Sequence, residues 1–405
     1  MIRMLARLMR PGTLIQVRHV SPVRPGAARG LVARVYRQLE DDFGVLAPPV
    51  MLHSPSPEAL AASWTMLRES LLAAGRTGRA EREAVAAAVS AANACPYCTG
   101  VHTGTLHGLL PPARAAGAAG DPAVAEATEW ARATATRERA LRHAAPLPAE
   151  RTAELAAVAV TFHYLNRMVN VFLDDSPMPP RLPEGARRPL ERLLGRLMLP
   201  AARRAAVPGA SPALLPAAPP ADRPYGPSLS YGPDPAGGEP RPADLRPAPG
   251  PYGVEAAWAD AVPHFADAFA RASAAAGDYG RRSVPRRVRE LVAAELAAWD
   301  GGPTGLSRAW ATAAADRLPA AERPAGRLAL LTALASHQVD RTVVEEFRGA
   351  GAGDRELVEL TSWAALAAAR RVASWTPVPP VTPASAPAGR QVPAPGGATA
   401  RHTPA

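Results

Sequence analysis

Residues 83–102 read EAVAAAVSAANACPYCTGVH, and this stretch decides how the chain folds. From Glu81 to Ala92 the sequence is alanine-rich without glycine or proline, which favours a helix. Asn93 suits a left-handed residue that ends that helix, Cys95 sits where a cap would, and Pro96 suits the first position of a second helix. The reading is two helices joined by a tight turn. Working outward, Val32, Val35, Tyr36 and Leu39 recur at three- and four-residue steps, as do Leu60, Trp64, Leu67 and Leu71 within 59–74. Segments 123–136 and 150–172 read as further helices, and no alternating strand pattern appears. The fold class expected is all-α.

The chain has 405 residues, 47% hydrophobic and 20% charged, enough for two or three domains with real cores, so full-length disorder is excluded. Its 46 prolines concentrate outside the helical segments, with 14 of them between 208 and 251. Proline at that density removes backbone donors and fixes φ, which neither helix nor sheet tolerates. The organisation predicted is an unstructured basic segment at 1–30, a helical domain at 31–207, a proline-rich linker at 208–251, a second helical domain at 252–376 and a disordered tail at 377–405. Just before the linker, RRPLERLLGRLMLPAARR (187–204) reads as a short amphipathic helix that packs Leu190, Leu193, Leu194 and Leu197 against the first domain. Phe162 and Tyr164 are core candidates, as are Trp258, Trp299, Trp310 and Trp363.

All 46 basic residues are arginine, as a GC-rich genome produces. The net charge of +10 is unevenly placed: eight arginines precede the first acid, Glu40, and Arg390 and Arg401 stand in an acid-free tail. The body between is close to neutral, so no nucleic-acid-binding face is expected on it. The longest apolar run, 155–173, is interrupted by His163, Asn166, Arg167 and Asn170, and no membrane span is predicted. Arginines break up the apolar N-terminus every few residues, unlike a secretory signal. Its acid-free start formally resembles a mitochondrial presequence, for which compositional bias is the simpler source. A reducing, cytoplasmic compartment fits a chain whose only cysteines are Cys95 and Cys98.

The second half carries an echo of the first. RRVRELVAAELAAWDGGPTGLSRAW lies on GRAEREAVAAAVSAANACPYCTGVHTG at an offset of about 207. Glu290 then falls on Glu83 and Pro303 on Pro96, while Gly302, Gly305 and Ala309 replace Cys95, Cys98 and His102. ELVELTSWAALAAAR (356–370) likewise echoes ELAAVAVTFHYLNRM (154–168) at a slightly different offset. The chain reads as a tandem duplication whose second copy has lost its reactive groups, leaving Glu290 a solvated or capping carboxylate and the copy a structural partner.

Cys95 and Cys98 stand three apart, a spacing that supports a redox dithiol, a permanent disulfide, or part of a zinc site completed by His102 and Glu83. Few ligands disfavour zinc, because structural sites more often pair two Cys-x-x-Cys units. Cys98 falls in the first turn of the second helix, where the dipole favours a thiolate. His102 lies one turn further on the same face, in reach to shuttle a proton. If the helices fold back on one another, Glu83 meets His102 and orients its imidazole, while Glu81 points elsewhere. His107 turns toward the surface, and His163 reads as a hydrogen-bonded packing residue.

The pattern Glu, eleven residues, Cys-x-x-Cys, three residues, His resembles the AhpD-like branch of the carboxymuconolactone decarboxylase family, well over 55–172 and only faintly over 254–375. That resemblance implies an AhpD-like helical bundle in tandem duplicate, a homo-oligomer, and a thiol hydroperoxidase that needs neither cofactor nor metal. By match, Cys98 attacks the peroxide, Cys95 resolves, and Glu83 with His102 relays protons. Cys98 sulfenic acid then condenses with Cys95 to a disulfide. The partners implied are a hydroperoxide substrate and an external dithiol, lipoylated or thioredoxin-like. Some family members place a histidine before the second cysteine, where this chain has Tyr97, a poorer base suited to holding a water or assisting the relay. Two other functions are weighed: a non-catalytic thiol switch, and a decarboxylase-like lyase, which would not depend on the dithiol.

Overall fold

The structure, a computed structural model, describes residues 10, 12–110, 121–142, 147–177, 199–218, 259 and 262–375. Among them it is all-α, and the only β-pairings are isolated bridges, Val17 with Leu173 and Ala73 with Ala206. The first half runs α1 (Gly30–Gln38), α2 (Pro57–Leu67), α3 (Arg79–Ala92), α4 (Pro96–Leu109), α5 (Pro122–Ala133), α6 (Arg137–Arg142) and α7 (Ala149–Phe172). The second runs α8 (Pro263–Ser283), α9 (Arg286–Ala298), α10 (Ala309–Ala315), α11 (Arg323–Leu334), α12 (Arg341–Arg348) and α13 (Asp354–Ala373). π turns at Leu39–Phe43 and Arg68–Leu72 extend α1 and α2. None of the described helices is long and apolar enough to cross a membrane.

Local chemistry sets the helix starts. Proline opens α2, α4, α5 and α8, where its missing N–H removes no helical bond. Asp121 and Asp340 cap α5 and α12 by accepting from backbone N–H groups in the first turn. Glu81 reaches back from the third position of α3 to the Gly78 N–H at 2.7 Å.

The duplication is visible in the packing. Helix α2 lies on α8 and α7 on α13, so equivalent helices of the two copies meet in pairs. One hydrophobic core runs continuously through both, from Trp64, Phe162 and Phe172 to Phe265, Tyr279 and Leu360. The two halves are therefore not separate globules. At their junction His53, Tyr164, Ser362 and Tyr279 form one buried chain of hydrogen bonds, with Tyr164 Oη 2.8 Å from His53 Nε2 and 2.7 Å from Ser362 Oγ. Burial pushes His53 down to about 4, so its neutral ring donates through Nδ1 to the Val50 carbonyl and accepts from Tyr164.

A carboxylate marks the repeat as well. Glu154 of α7 accepts from the Arg76 and Thr77 N–H groups that lead into α3, and from Arg82. Glu359 of α13 occupies the corresponding place ahead of α9, accepting there from the side chains of Arg282 and Ser283 rather than from backbone N–H groups. The offset here is 205, matching the helix starts, so Glu359 rather than Glu356 is the counterpart of Glu154. Glu356 instead accepts the Gly353 N–H at the start of α13.

Several expectations are corrected. The basic segment expected to be unstructured through residue 30 is packed from residue 12 onward. Val20 and Ala28 are buried, Arg18 N donates to the Phe172 carbonyl at 2.7 Å, and Ser21 N donates to Asp354. Arginine content misled because the charges face outward while the small apolar residues between them dock. The first residues of the proline-rich linker also pack: Gly209 N, Ser211 N and Ser211 Oγ all donate to buried Glu69, and Leu214 and Leu215 enter the core. Trp363 is buried, and Trp299 and Trp310 pack partly buried against the core. Trp258, residues 219–251, the tail from 376 and residues 187–198, with Leu190, Leu193, Leu194 and Leu197, lie outside the described residues.

Glu359 also accepts from Ser56 of the first half at 2.9 Å, so it ties the copies together. Burial pushes its pKa up, but Arg282, Ser283, Arg355 and Ser56 outweigh that and hold it below the ordinary 4.5. A depressed carboxyl stabilises fully above its unfolded value and loses that contribution as pH falls through the folded one. Glu359→Ala is expected to cost roughly 2–3 kcal/mol in urea unfolding at pH 7, since its buried donors lose their acceptor while its arginines stay partly hydrated. The difference from wild type should shrink below pH 4; a cost independent of pH would show that packing alone is at work.

Candidate active site

Helices α3 and α4 fold back on each other, as residues 83–102 predict, and their junction builds the site. The left-handed residue in the turn is Ala94, with φ of 50°, and not Asn93, whose φ of −88° stays near the helical region. Asn93 serves through its side chain instead. Its Nδ2 donates to Asn166 Oδ1 at 3.0 Å and lies 3.1 Å from His163 Nδ1, while its carbonyl accepts from Asn170 Nδ2 at 3.1 Å. These bonds to α7 hold the turn in a conformation that alanine adopts only at a cost.

Cys95 caps α4, Pro96 opens it and Cys98 lies in its first turn. Both cysteines are free thiols and buried, with their sulfurs 2.8 Å apart and Cys95 donating to Cys98. The expectation that the helix dipole leaves Cys98 a thiolate is corrected. Burial pushes the Cys98 thiol well above its ordinary range, helped by Cys95, while a hydrogen bond from Asn166 works the other way. Solvent exclusion outweighs half a charge at a helix terminus.

One turn on, His102 Nδ1 lies 2.6 Å from Glu83 Oε2. Burial alone would raise the Glu83 pKa, but Arg79 and His102 outweigh it and hold the carboxyl below its ordinary value. Glu83 is thus an ionised acceptor, which puts the proton of His102 on Nδ1 and leaves the Nε2 lone pair free. The Phe162 ring meets the imidazole edge-on at 4.5 Å and fixes its plane. Arg79 completes the group, with Nε and Nη2 each 2.7 Å from Glu83 Oε1. Its position four residues before Glu83 is a signal the sequence contains. Glu81 points away, to Gly78 and Arg151, and His107 is exposed.

A recess of about 20 Å³, the room one water needs, opens beside this dyad among Phe43, Leu72, Val101, His102 and Ala202. Residues 199–207 roof it. Ala206 N donates to the Leu72 carbonyl, Ala74 N to the Ala206 carbonyl, and buried Arg68 to the Val207 carbonyl.

Tyr97 is placed differently from a relay group. Burial raises its phenol, with the two cysteines adding to the effect, and its hydroxyl donates to Gln16 Oε1 at 2.9 Å. It anchors the N-terminal segment beside the dithiol. Nothing in the sequence around Gln16 signals this contact. Also unforeseen is the polar face of α7: Asn166 bonds Ser90 and Asn93, and buried Arg167 donates to the carbonyls of His163 and Ala333. His163 packs beside Asn93 as a neutral ring, its pKa pushed down by burial and by Arg167. Among its described residues the second copy has no such site. Arg286 and Glu290 repeat the Arg79 and Glu83 pair on an exposed surface, and Ala309 stands in place of His102.

No family profile and no solved structure matches the chain. A protein of Mycobacterium tuberculosis named alkyl hydroperoxide reductase is 35% identical over 370 residues, covering 89% of this chain and 94% of the relative. With identity at that level along nearly the whole of both chains, this protein belongs to the AhpD-like alkylhydroperoxidase family.

Proposed function

We propose that this protein is a thiol-dependent hydroperoxidase that reduces organic hydroperoxides through a Cys95 and Cys98 dithiol–disulfide cycle. The observation that carries the reading is the dithiol, its sulfurs 2.8 Å apart, with the hydrogen-bonded Glu83 and His102 pair one helical turn away. The name of the Mycobacterium tuberculosis relative supports the same chemistry.

A thiol held protonated by burial needs a base, and His102 Nε2 is free to serve while Glu83 stabilises the imidazolium that forms. The Cys98 sulfur attacks the terminal peroxide oxygen, the O–O bond breaks, and the departing alkoxide takes a proton from His102 and leaves as an alcohol. The sulfur now carries a hydroxyl as sulfenic acid. Cys95 attacks that sulfur, the S–O bond breaks, and water leaves as the disulfide forms. An external dithiol, lipoylated or thioredoxin-like, returns two electrons and two protons and is itself oxidised to a disulfide. The narrow recess beside His102 has room for the water that carries protons in and out.

Consumption of cumene hydroperoxide with dihydrolipoamide as reductant tests the reading. Wild type is expected to turn over many times and Cys98→Ser to lose at least about a thousandfold, as loss of a nucleophile does. Glu83→Gln should lose about tenfold to a hundredfold, a loss of the size seen when a supporting partner is removed. One stoichiometric oxidation without further turnover would make the dithiol a switch, no turnover in either protein would favour the switch or a lyase, and equal activity in Cys98→Ser would overturn Cys98 as the attacking thiol.

The raised Cys98 thiol gives a second test. The attacking form is the thiolate, so in His102→Ala, which lacks the internal base, the single-turnover rate with peroxide should climb from pH 7 to pH 9 without levelling. Asn166→Ala removes a bond that favours the thiolate and should move the profile to higher pH. A plateau reached below pH 8 would contradict the protonated resting state.

A further inference from the structure

The second copy has lost its own cysteines, yet it reaches the dithiol of the first through one face of α7. Asn170 and Arg167 each hold both sides. The Asn170 amide donates to the Asn93 carbonyl at 3.1 Å and to Ser336 Oγ, in the second copy, at 3.0 Å. Arg167 Nη1 donates to the His163 carbonyl at 2.6 Å and lies 3.5 Å from Asn93 Oδ1, while its Nε donates to the Ala333 carbonyl at 2.8 Å. Its guanidinium also lies 5.8 Å from the ring centroid of Trp299, at the end of α9. A fully buried arginine served by carbonyls and an aromatic face is costly to keep, and its partners lie on both copies. On the site side the contacts of Asn170 and Arg167 that leave α7 meet at Asn93, whose successor Ala94 is left-handed and whose next neighbour is Cys95.

We infer that the degenerate second copy is a positioning element for the dithiol, acting from Ser336 and Ala333 through Asn170 and Arg167 on the Asn93–Cys95 turn. The inference rests on the reading of Cys95 and Cys98 as a cycling pair. The turn carries Cys95 on a strained residue, while Cys98 is fixed in α4. Their separation of 2.8 Å therefore depends on how firmly the turn is held. Holding two thiols in register raises their effective concentration for one another and favours the disulfide. Releasing the turn lets Ala94 relax, separates the sulfurs and disfavours the disulfide. None of these groups touches the reacting sulfur, so they position rather than catalyse.

The test is the equilibrium between the protein dithiol and oxidised dithiothreitol, in which two electrons and two protons pass to the reagent as the protein disulfide forms. It uses the full-length protein, with melting temperatures measured in parallel. Ser336→Ala is small, lies in the second copy and removes only a hydroxyl. It is expected to lower the equilibrium constant for disulfide formation about threefold to fivefold, the worth of about one hydrogen bond. Asn170→Ala should lower it about tenfold, because both of its bonds go. The double variant should lower it no further than Asn170→Ala alone, since both changes break the same link. Ser336→Thr keeps the hydroxyl and should retain most of the wild-type value. An unchanged constant in Ser336→Ala, or effects that simply add in the double variant, would overturn the link even if melting temperatures fall. A wild type that never forms the disulfide would remove the cycling reading and the link with it.

Discussion

The burial of α7 between the two copies is the constraint on which the rest of the structure depends. Of its 24 residues, nearly all lie out of contact with water, packed by α3 and α2 on one side and α13 on the other. A helix buried all round is usually apolar all round, yet this one carries Glu154, His163, Asn166, Arg167 and Asn170. Each must find a partner inside the protein or raise the free energy of the fold. Glu154 satisfies itself on the start of α3, Asn166 on Ser90 and Asn93, and Arg167 and Asn170 on the second copy. The polar groups of one helix thereby fix both ends of α3, and α3 carries Glu83. Packing and chemistry are set by the same set of bonds.

Much of the site was legible because it is local. Proline at the first turn, two residues between the cysteines and one turn from Cys98 to His102 follow from helix geometry alone. The fold-back that joins Glu83 to His102 needed only two helices and a short turn. What stayed hidden is of longer range. Asn170 reads as a blemish in an apolar run until Ser336, more than 160 residues later, is placed beside it. Gln16 lies in a stretch whose arginines suggest a solvated arm, and only the folded chain brings it to Tyr97. The duplication was legible from its helices, but the register of α7 on α13 was not. Alanine-rich sequences align almost equally well at several offsets, whereas Glu359 has one set of donors.

The state of Cys98 shows why position on a helix is an incomplete guide to reactivity. The dipole argument is right about direction, and the Asn166 hydrogen bond adds to it, yet burial is the larger influence on this thiol. A thiol that rests protonated in a closed site is protected from indiscriminate oxidants and metals, which act on the thiolate. It gains reactivity only where a base is at hand. In the proposed cycle the Glu83 and His102 pair supplies that base: Glu83 lies 2.6 Å from Nδ1 of His102, and the edge of Phe162 sets the plane of the ring.

The fate of the second copy follows from the same physics. In the first copy α4 begins at Pro96, directly after Cys95, and its opening turn holds the second sulfur. In the second copy the residues after Pro303 stay out of helix until Ala309, with left-handed glycines at 301 and 305. A dithiol placed there would have no helix terminus beneath it, and Glu290, paired with Arg286 in solvent, would have no imidazole to orient. Freed from that chemistry, the region packs against the first copy instead: Asp300 accepts the Arg137 N–H, Gly301 comes so close to the Ala135 carbonyl that a side chain would collide with it, and Trp375 Nε1 reaches the Thr134 carbonyl. Gly301 is the telling residue, because its left-handed φ and the missing Cβ are both needed for that contact. The turn that corresponds to the dithiol turn of the first copy is thus the turn that touches the other copy.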